Sequence, residues 1–309
     1  MKQSYADIEC IIVDDGTKDD CINKCDKLIN DYEGPIQFYV IRHEHNLGLS
    51  AARNSGTKAA TGDYIYYLDG DDEIKPDCIE KLMTAALEHP DAEMVIGNAQ
   101  TSCDKKGRLW SFDDLPSTIR SNEEIASYYC RSLIPVVAWN KLIKRSFIED
   151  HNLYFKESII HEDYLWSFYV LKYLSVVSFV KEVTYIYCIR PDSISKNTDA
   201  YTLGNSFGII YDEILYHLTP DRERLEMKYY VGGFCSRYLK YKALLPGLSN
   251  VEGLYRKRAR HYNCWYVYIL LAFTKFLGHF GHAYTIFITL SSIRRKLWCN
   301  KKEFSQLAH

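Results

Sequence analysis

The residues best suited to chemistry in this 309-residue chain lie in two acidic turns. Asp69-Gly70-Asp71-Asp72 follows the apolar run Tyr64-Ile65-Tyr66-Tyr67-Leu68, and Asp14-Asp15-Gly16 follows Ile8 to Val13. Carboxylate oxygens are hard ligands for Mg2+ or Mn2+, and magnesium usually takes one or two of them from the protein and the rest of its shell from substrate phosphates and water. The glycine between Asp69 and Asp71 lets the backbone come close to a ligand. Alone, an Asp-x-Asp is more often an ordinary Asp-Gly turn. A calcium-loop reading fails, because the sixth position counted from Asp69 is Ile74 and not glycine.

These turns need elements to hold them. Ile8 to Val13, Ile36 to Ile41, Tyr64 to Leu68 and Met94 to Gly97 read as strands. Residues 18–32 and 49–60, and a segment opened by Pro76 that carries Ile79, Leu82, Met83 and Ala86, read as helices between them. Alternating strands and helices predict an α/β fold with a mostly parallel sheet covered on both faces. Ligands in such sheets bind beyond the carboxyl ends of the strands, where both acidic turns fall. The middle of the chain is less regular. A hairpin turn is expected at Asp104 to Arg108, and helices at Glu123 to Arg131 and after His161-Glu162-Asp163. The last of these has Leu165, Phe168 and Leu171 on its apolar side. Val176 to Ile189 reads as an aromatic strand.

Beyond residue 200 the pattern is helical throughout. Cys264 to Leu290 is strongly apolar and is followed by Arg294, Arg295, Lys296, Lys301 and Lys302. An apolar helical hairpin with a basic flank can lie on an anionic membrane surface through residues 264–302, and it can equally be a core packed on the rest of the protein. The expected organisation is therefore a domain over residues 1–200, in two halves at 1–100 and 101–200, and a helical extension over 201–309.

Composition narrows the class. With 47% hydrophobic and 25% charged residues, a large core is possible and wholesale disorder is excluded. A net charge of −2 argues against a general nucleic-acid binder, so nucleic acid is not expected as a partner. The ten cysteines form no Cys-x-x-Cys pair, and neither a secretory leader nor an Asn-x-Ser/Thr sequon is present. Free thiols in a reducing cytoplasm follow, at the inner face of the cell membrane if 264–302 lies on it.

Four motifs then occur in order: Val13-Asp14-Asp15-Gly16-Thr17, Asn46 to Gly56, Gly62-Asp63-Tyr64 and Leu68-Asp69-Gly70-Asp71-Asp72. Together they closely resemble the family 2 glycosyltransferases with the GT-A fold. The resemblance continues through Trp139-Asn140-Lys141-Leu142, Glu162-Asp163 and Arg190-Pro191-Asp192-Ser193-Ile194-Ser195, and covers roughly residues 5–200. It implies an inverting transfer of a hexose or N-acetylhexosamine from a nucleotide-sugar donor, UDP being that family's commonest carrier, to a hydroxyl of a glycan or lipid-linked acceptor in surface polysaccharide synthesis. Asp15, with Asp14 beside it, would contact the nucleotide base, and Arg53 would face the base or phosphates. Asp69 would hold the ribose or the metal, and Asp71 would coordinate Mn2+ or Mg2+. Asp163, with Glu162 second, would be the base that takes the acceptor's proton. The competing reading of that pair is simple helix-dipole complementarity in a first turn. Trp139, Asn140 and Lys141 would line the acceptor side, and Arg190 would close over the diphosphate through its fork of donors.

One departure from the pattern is expected to matter. The family's fold begins with an apolar strand ending in a base-holding turn, whereas Met1 to Tyr5 resembles the linker before the second strand. The reading is thus of a transferase lacking the first strand, with low stability or weak activity as the consequence. Two alternatives compete: a degenerate transferase that acts as a binding or scaffold subunit, and a nucleotidyltransferase. The second would carry a glycine-rich basic loop, which is not found.

Overall fold

The structure is a computed structural model that describes residues 1–102, 108–130, 132–190 and 198–217. It divides into two compact units, Met1–Tyr129 with Leu133–Lys196, and Cys130–Ser132 with Asn197–His309.

In the first unit β1 (Glu9–Asp14) pairs in parallel with β2 (Gln37–Arg42), in register from Glu9 opposite Gln37 to Asp14 opposite Arg42. Helix α1 (Cys21–Asn30) connects them, and α2 (Leu49–Ala59) follows. Ser50, Ala51, Asn54 and Thr57 are the buried residues of α2. Small side chains let this helix come close to the strands, and a Cβ on Gly56 would already sit 3.5 Å from Val13. The larger sheet has seven strands. They are β3 (Tyr64–Tyr66), β4 (Glu73–Ile74), β5 (Met94–Thr101), β6 (Arg108–Trp110), β7 (Thr118–Ile119), β8 (Lys141–Lys144) and β9 (Val177–Tyr187). Helices α3 (Cys78–Glu88), α4 (Asn122–Cys130), α5 (Arg145–Asp150) and α6 (Glu162–Tyr173) complete the unit.

The sheet order is β3-β8-β5-β9-β4, with β6 on β5 and β7 on β9. The α/β class holds, but the expected mostly parallel pairing is corrected. Among the described residues only β1–β2 and β5–β9 are parallel ladders, and β3–β8, β5–β8, β4–β9, β5–β6 and β7–β9 are antiparallel. The reason is β8. Its four residues, Lys-Leu-Ile-Lys, hide a strand behind a buried lysine, and it runs reversed between β3 and β5. β3 and β5 therefore point the same way, as alternation predicts, without touching as partners. Among the described residues β1 and β2 pair only with each other, and Glu9 reaches the start of β3 by accepting from the Thr61 and Gly62 amides at 2.6 Å.

Residues on β5 show why the sheet is covered on both sides. Met94 and Ile96 face one apolar cluster with Tyr67, Ile143, Trp166 and Val177. Val95 faces the other, with Leu82, Ala86, Leu142 and Val180. Two-residue alternation sends neighbours to opposite faces, and both faces are apolar here. In α3, Cys78, Leu82 and Ala86 recur every four residues and supply the helical side of that second cluster.

Of the second unit, α7 (Ala200–Tyr216) is described. Asp199 caps it by accepting from the Thr202 amide at 2.9 Å and from the Thr202 hydroxyl at 2.6 Å. Among the described residues no helix is long and apolar enough to cross a membrane. The segment 264–302, the turn at 104–107 and the Ser193 to Ser195 loop lie outside the described residues.

Candidate active site

The acidic turn hangs off the end of β3, and its three carboxylates meet different surroundings. Asp72 is an anchor: it accepts from the Tyr185 hydroxyl at 2.6 Å and the Cys188 amide at 2.7 Å, which ties the turn to the end of β9. Burial raises its pKa, with Asp71 and Asp69 adding to the rise and the two hydrogen bonds opposing it. Asp71 points outward with 48% of its side chain exposed, and the Arg190 guanidinium stands 3.9 Å from it. A Cβ on Gly70 would meet open space, so the face of the turn is accessible.

Asp69 is drawn inward. It accepts from one arm of Arg53 at 2.7 Å, while the other arm donates to Glu162 at 2.6 Å. The Arg53 side chain is only 9% exposed and lies over the Phe155 ring at 5.2 Å. Burial opposes its charge, but Asp69 and Glu162 outweigh burial and hold its pKa above the ordinary value. One arginine on α2 thus joins the turn after β3 to the first residue of α6.

Helix α6 begins abruptly. His161 takes a left-handed conformation (φ 66°), which brings Glu162 and Asp163 into the first turn. Burial raises the Glu162 pKa, Asp163 raises it further, and Arg53 opposes both. Burial also raises Asp163, against the opposing charges of Arg53 and Lys141 and the Tyr164 amide. With Glu162 engaged by Arg53, Asp163 is the carboxylate of the pair that carries no salt bridge among the described residues.

Asp15 is fully occupied by its own loop. It accepts from His43 at 2.7 Å and from the amides of Leu47 and Gly48 at 2.8 Å, and its carbonyl accepts from Asn46. Burial raises its pKa, but the His43 and amide hydrogen bonds together prevail and lower it. His43 donates or accepts on its far side with Ser55 at 2.9 Å. The Asn46-Leu47-Gly48 turn is thereby fixed at the start of α2, one helical turn before Arg53. The Asp14 carboxylate accepts the Thr17 amide at 2.9 Å and stays near the surface.

The residues expected on the acceptor side are enclosed. Trp139 is 6% exposed and stacks with Trp110, Tyr185 and Tyr187. Asn140 is fully buried with positive φ. It donates to the Gly97 carbonyl at 2.7 Å and accepts from Thr184 at 2.7 Å and Tyr66 at 3.2 Å. Both touch β9, whose Tyr185 holds Asp72.

The structure therefore brings Arg53, Asp69 and Glu162 into contact, sets Asp163 and the Asp71–Arg190 pair beside them, and keeps Asp15 one step back. Sequence reading assigned no role to His43, Asp72 or Tyr185, and it placed Lys141 with Trp139 and Asn140 on the acceptor side, whereas Lys141 is fully buried. Asp72 carried a signal as the last letter of its acidic turn. For a divalent metal, Asp69 and Asp71 offer carboxylate oxygens of the right hardness on an open turn. No group of three or more acidic, histidine or cysteine side chains converges among the described residues.

Comparison with known proteins bears on this geometry. Residues 1–151 match the family described as Glycosyl transferase family 2. The chain is 34% identical over 199 residues to EpsH of Bacillus subtilis (strain 168), named as a glycosyltransferase, which covers 62% of this chain and 55% of that protein. It spans little more than half the length of several curated relatives it matches. Among solved structures, Staphylococcus aureus TarS in complex with UDP-GlcNAc superposes with a TM-score of 0.58 at 15% identity, over 85% of each chain. The mannosyltransferase PcManGT of Pyrobaculum calidifontis, in complex with GDP-Man and Mn2+, superposes with a TM-score of 0.54 at 12% identity, over 96% of this chain and 80% of that one. These likenesses carry the fold, and residues 1–151 carry the match to the family 2 glycosyltransferases.

Proposed function

We propose that this chain transfers a sugar, with inversion, from a UDP-linked donor to a hydroxyl of a glycan or lipid-linked acceptor in surface polysaccharide synthesis. The observation that carries the reading is the double grip of Arg53 on Asp69 and Glu162. It fixes the turn that would face the donor's diphosphate relative to the helix that carries Asp163. Fixed distance between donor and base is what an in-line displacement requires.

In this reading the acceptor oxygen bonds to the anomeric carbon while Asp163 takes its proton. The bond from that carbon to the diphosphate breaks, and its electron pair leaves with the nucleotide. A raised pKa suits Asp163 to this task, because a base works best with a pKa near the working pH. Asp69 and Asp71 would hold Mn2+ or Mg2+, which when bound offsets charge on the departing diphosphate. Arg190 would add a guanidinium on the same side. Asp15 is proposed to act through the Asn46-Leu47-Gly48 loop that it holds, with Asp14 as the freer contact for the base. Trp139 and Asn140 are proposed as supports and not as acceptor contacts. The UDP-GlcNAc bound by TarS supports the choice of UDP, and the Mn2+ bound by PcManGT supports the choice of metal.

The test is Mn2+-dependent UDP binding and hydrolysis of UDP-GlcNAc, with Asp71→Ala and Asp163→Asn as variants. Binding lost in the first and turnover lost in the second, with binding kept, is the expected result. Binding without turnover in the unaltered chain would replace the enzyme reading with that of a binding subunit.

A further inference from the structure

Lys141 is the one cation wholly enclosed in the apolar core of the described residues, at 0% exposure. Burying an ammonium costs several kcal/mol unless its surroundings need the charge. On β8 it alternates with Ile143, so it faces the cluster that contains α4 and α6. Its Nζ donates to the Pro135 carbonyl at 2.8 Å and to the Tyr129 hydroxyl at 3.3 Å. The rings of Tyr129 and Trp166 lie 5.5 and 5.8 Å from it. Trp166 is three residues after Asp163 and so shares its face of α6. No carboxylate forms an ion pair with Lys141 among the described residues. A Met or Leu would fill this space with no desolvation cost, so packing alone does not account for the lysine.

We propose that Lys141 is a positioning residue, a buried cation set behind the first turn of α6 to keep Asp163 ionised until it accepts the proton. This rests on the reading of Asp163 as the base. The titratable groups that face the pair are Tyr129 from α4, Arg53 from α2, Glu162 from α6 and Asp69 from the acidic turn. Arg53 is already shared between Asp69 and Glu162, which leaves Lys141 as the cation not committed to another carboxylate. Burial lowers the Lys141 pKa to about 7 and Asp163 opposes that fall, so the two groups titrate as a coupled pair.

The test is the pH profile of UDP-GlcNAc hydrolysis in Lys141→Met and Lys141→Gln. Gln keeps a donor for Pro135 and loses only the charge. Removing a nearby positive charge raises a carboxylate pKa, so the acid limb of kcat should move to higher pH by about one unit in both variants, with KM for the donor unchanged. A lysine that merely packs would lower stability and leave the limb in place, which would overturn the proposal. A second measurement needs no turnover: NMR titration of 13C-labelled lysine in the full chain with Asp163→Asn. The Lys141 midpoint should fall by about one unit. An unchanged midpoint refutes the coupling, whereas hydrolysis that survives Asp163→Asn refutes the base and leaves the coupling standing.

Discussion

Two ion-pair sites flank the acidic turn, and they are built in opposite ways. Arg53, Asp69 and Glu162 form a closed triad with contacts of 2.6 and 2.7 Å, in which Arg53 and Glu162 are enclosed and Asp69 is 24% exposed. Arg190 and Asp71 face each other at 3.9 Å with 59% and 48% of their side chains exposed. A closed triad is framework, since its charges are already satisfied and cannot be separated cheaply. An exposed, loose pair contributes little to stability and is free to take other partners. The same turn thus carries one carboxylate, Asp69, with one oxygen already held by Arg53 and the other left for a ligand, and a second, Asp71, that is open.

Breaking the triad should have the largest effect. Arg53→Met leaves two carboxylates without their cation, and urea unfolding should show a loss of about 3–5 kcal/mol along with loss of activity. A fully stable Arg53→Met protein would erase the distinction between the two sites. Cutting the turn from β9 comes next. Asp72→Ala removes the acceptor for Tyr185 and Cys188, and should cost about 1–3 kcal/mol while weakening metal-dependent nucleotide binding. Tyr185→Phe should show a smaller loss in the same two measurements.

The smallest effect sharpens the comparison through pH. Asp15 has a depressed pKa in the folded chain, so its contribution is present above the unfolded carboxylate value and is lost as pH falls through the folded one. Acid unfolding followed by circular dichroism should therefore be shallower in Asp15→Asn, with a lower starting stability at neutral pH. An unaltered acid slope would mean that Asp15 does not hold the Asn46 loop in solution.

Much of this was legible in the sequence because short-range pattern and motif order both report on it. Strands ending in Asp14-Asp15 and in Asp69-Gly70-Asp71, the small-residue α2 and the acidic opening of α6 could all be placed from residue types. The sheet's mixed direction could not, because β8 is four residues long and one of its buried positions is a lysine. Nor could the state of each side chain. Asp15 and Asp71 look alike in a sequence, yet one is saturated by two amides and a histidine while the other is open. Trp139 reads in the sequence as an aromatic face for a sugar, and its stacking against three aromatic rings from distant parts of the chain was not legible there. Such pairings depend on long-range contacts that no local pattern encodes.

The central claim is that Asp71 is the open carboxylate of the site and contributes to ligand binding and not to the fold. Calorimetric titration of UDP with and without Mn2+, on the unaltered chain and on Asp71→Ala, tests it most directly. The account predicts that UDP binds the unaltered chain only with Mn2+, and that Asp71→Ala binds at least about tenfold more weakly, a difference of about 1.4 kcal/mol, while its unfolding free energy changes by less than about 0.5 kcal/mol. Equal Mn2+-dependent affinity in the two proteins, or a marked loss of stability in Asp71→Ala, would contradict it.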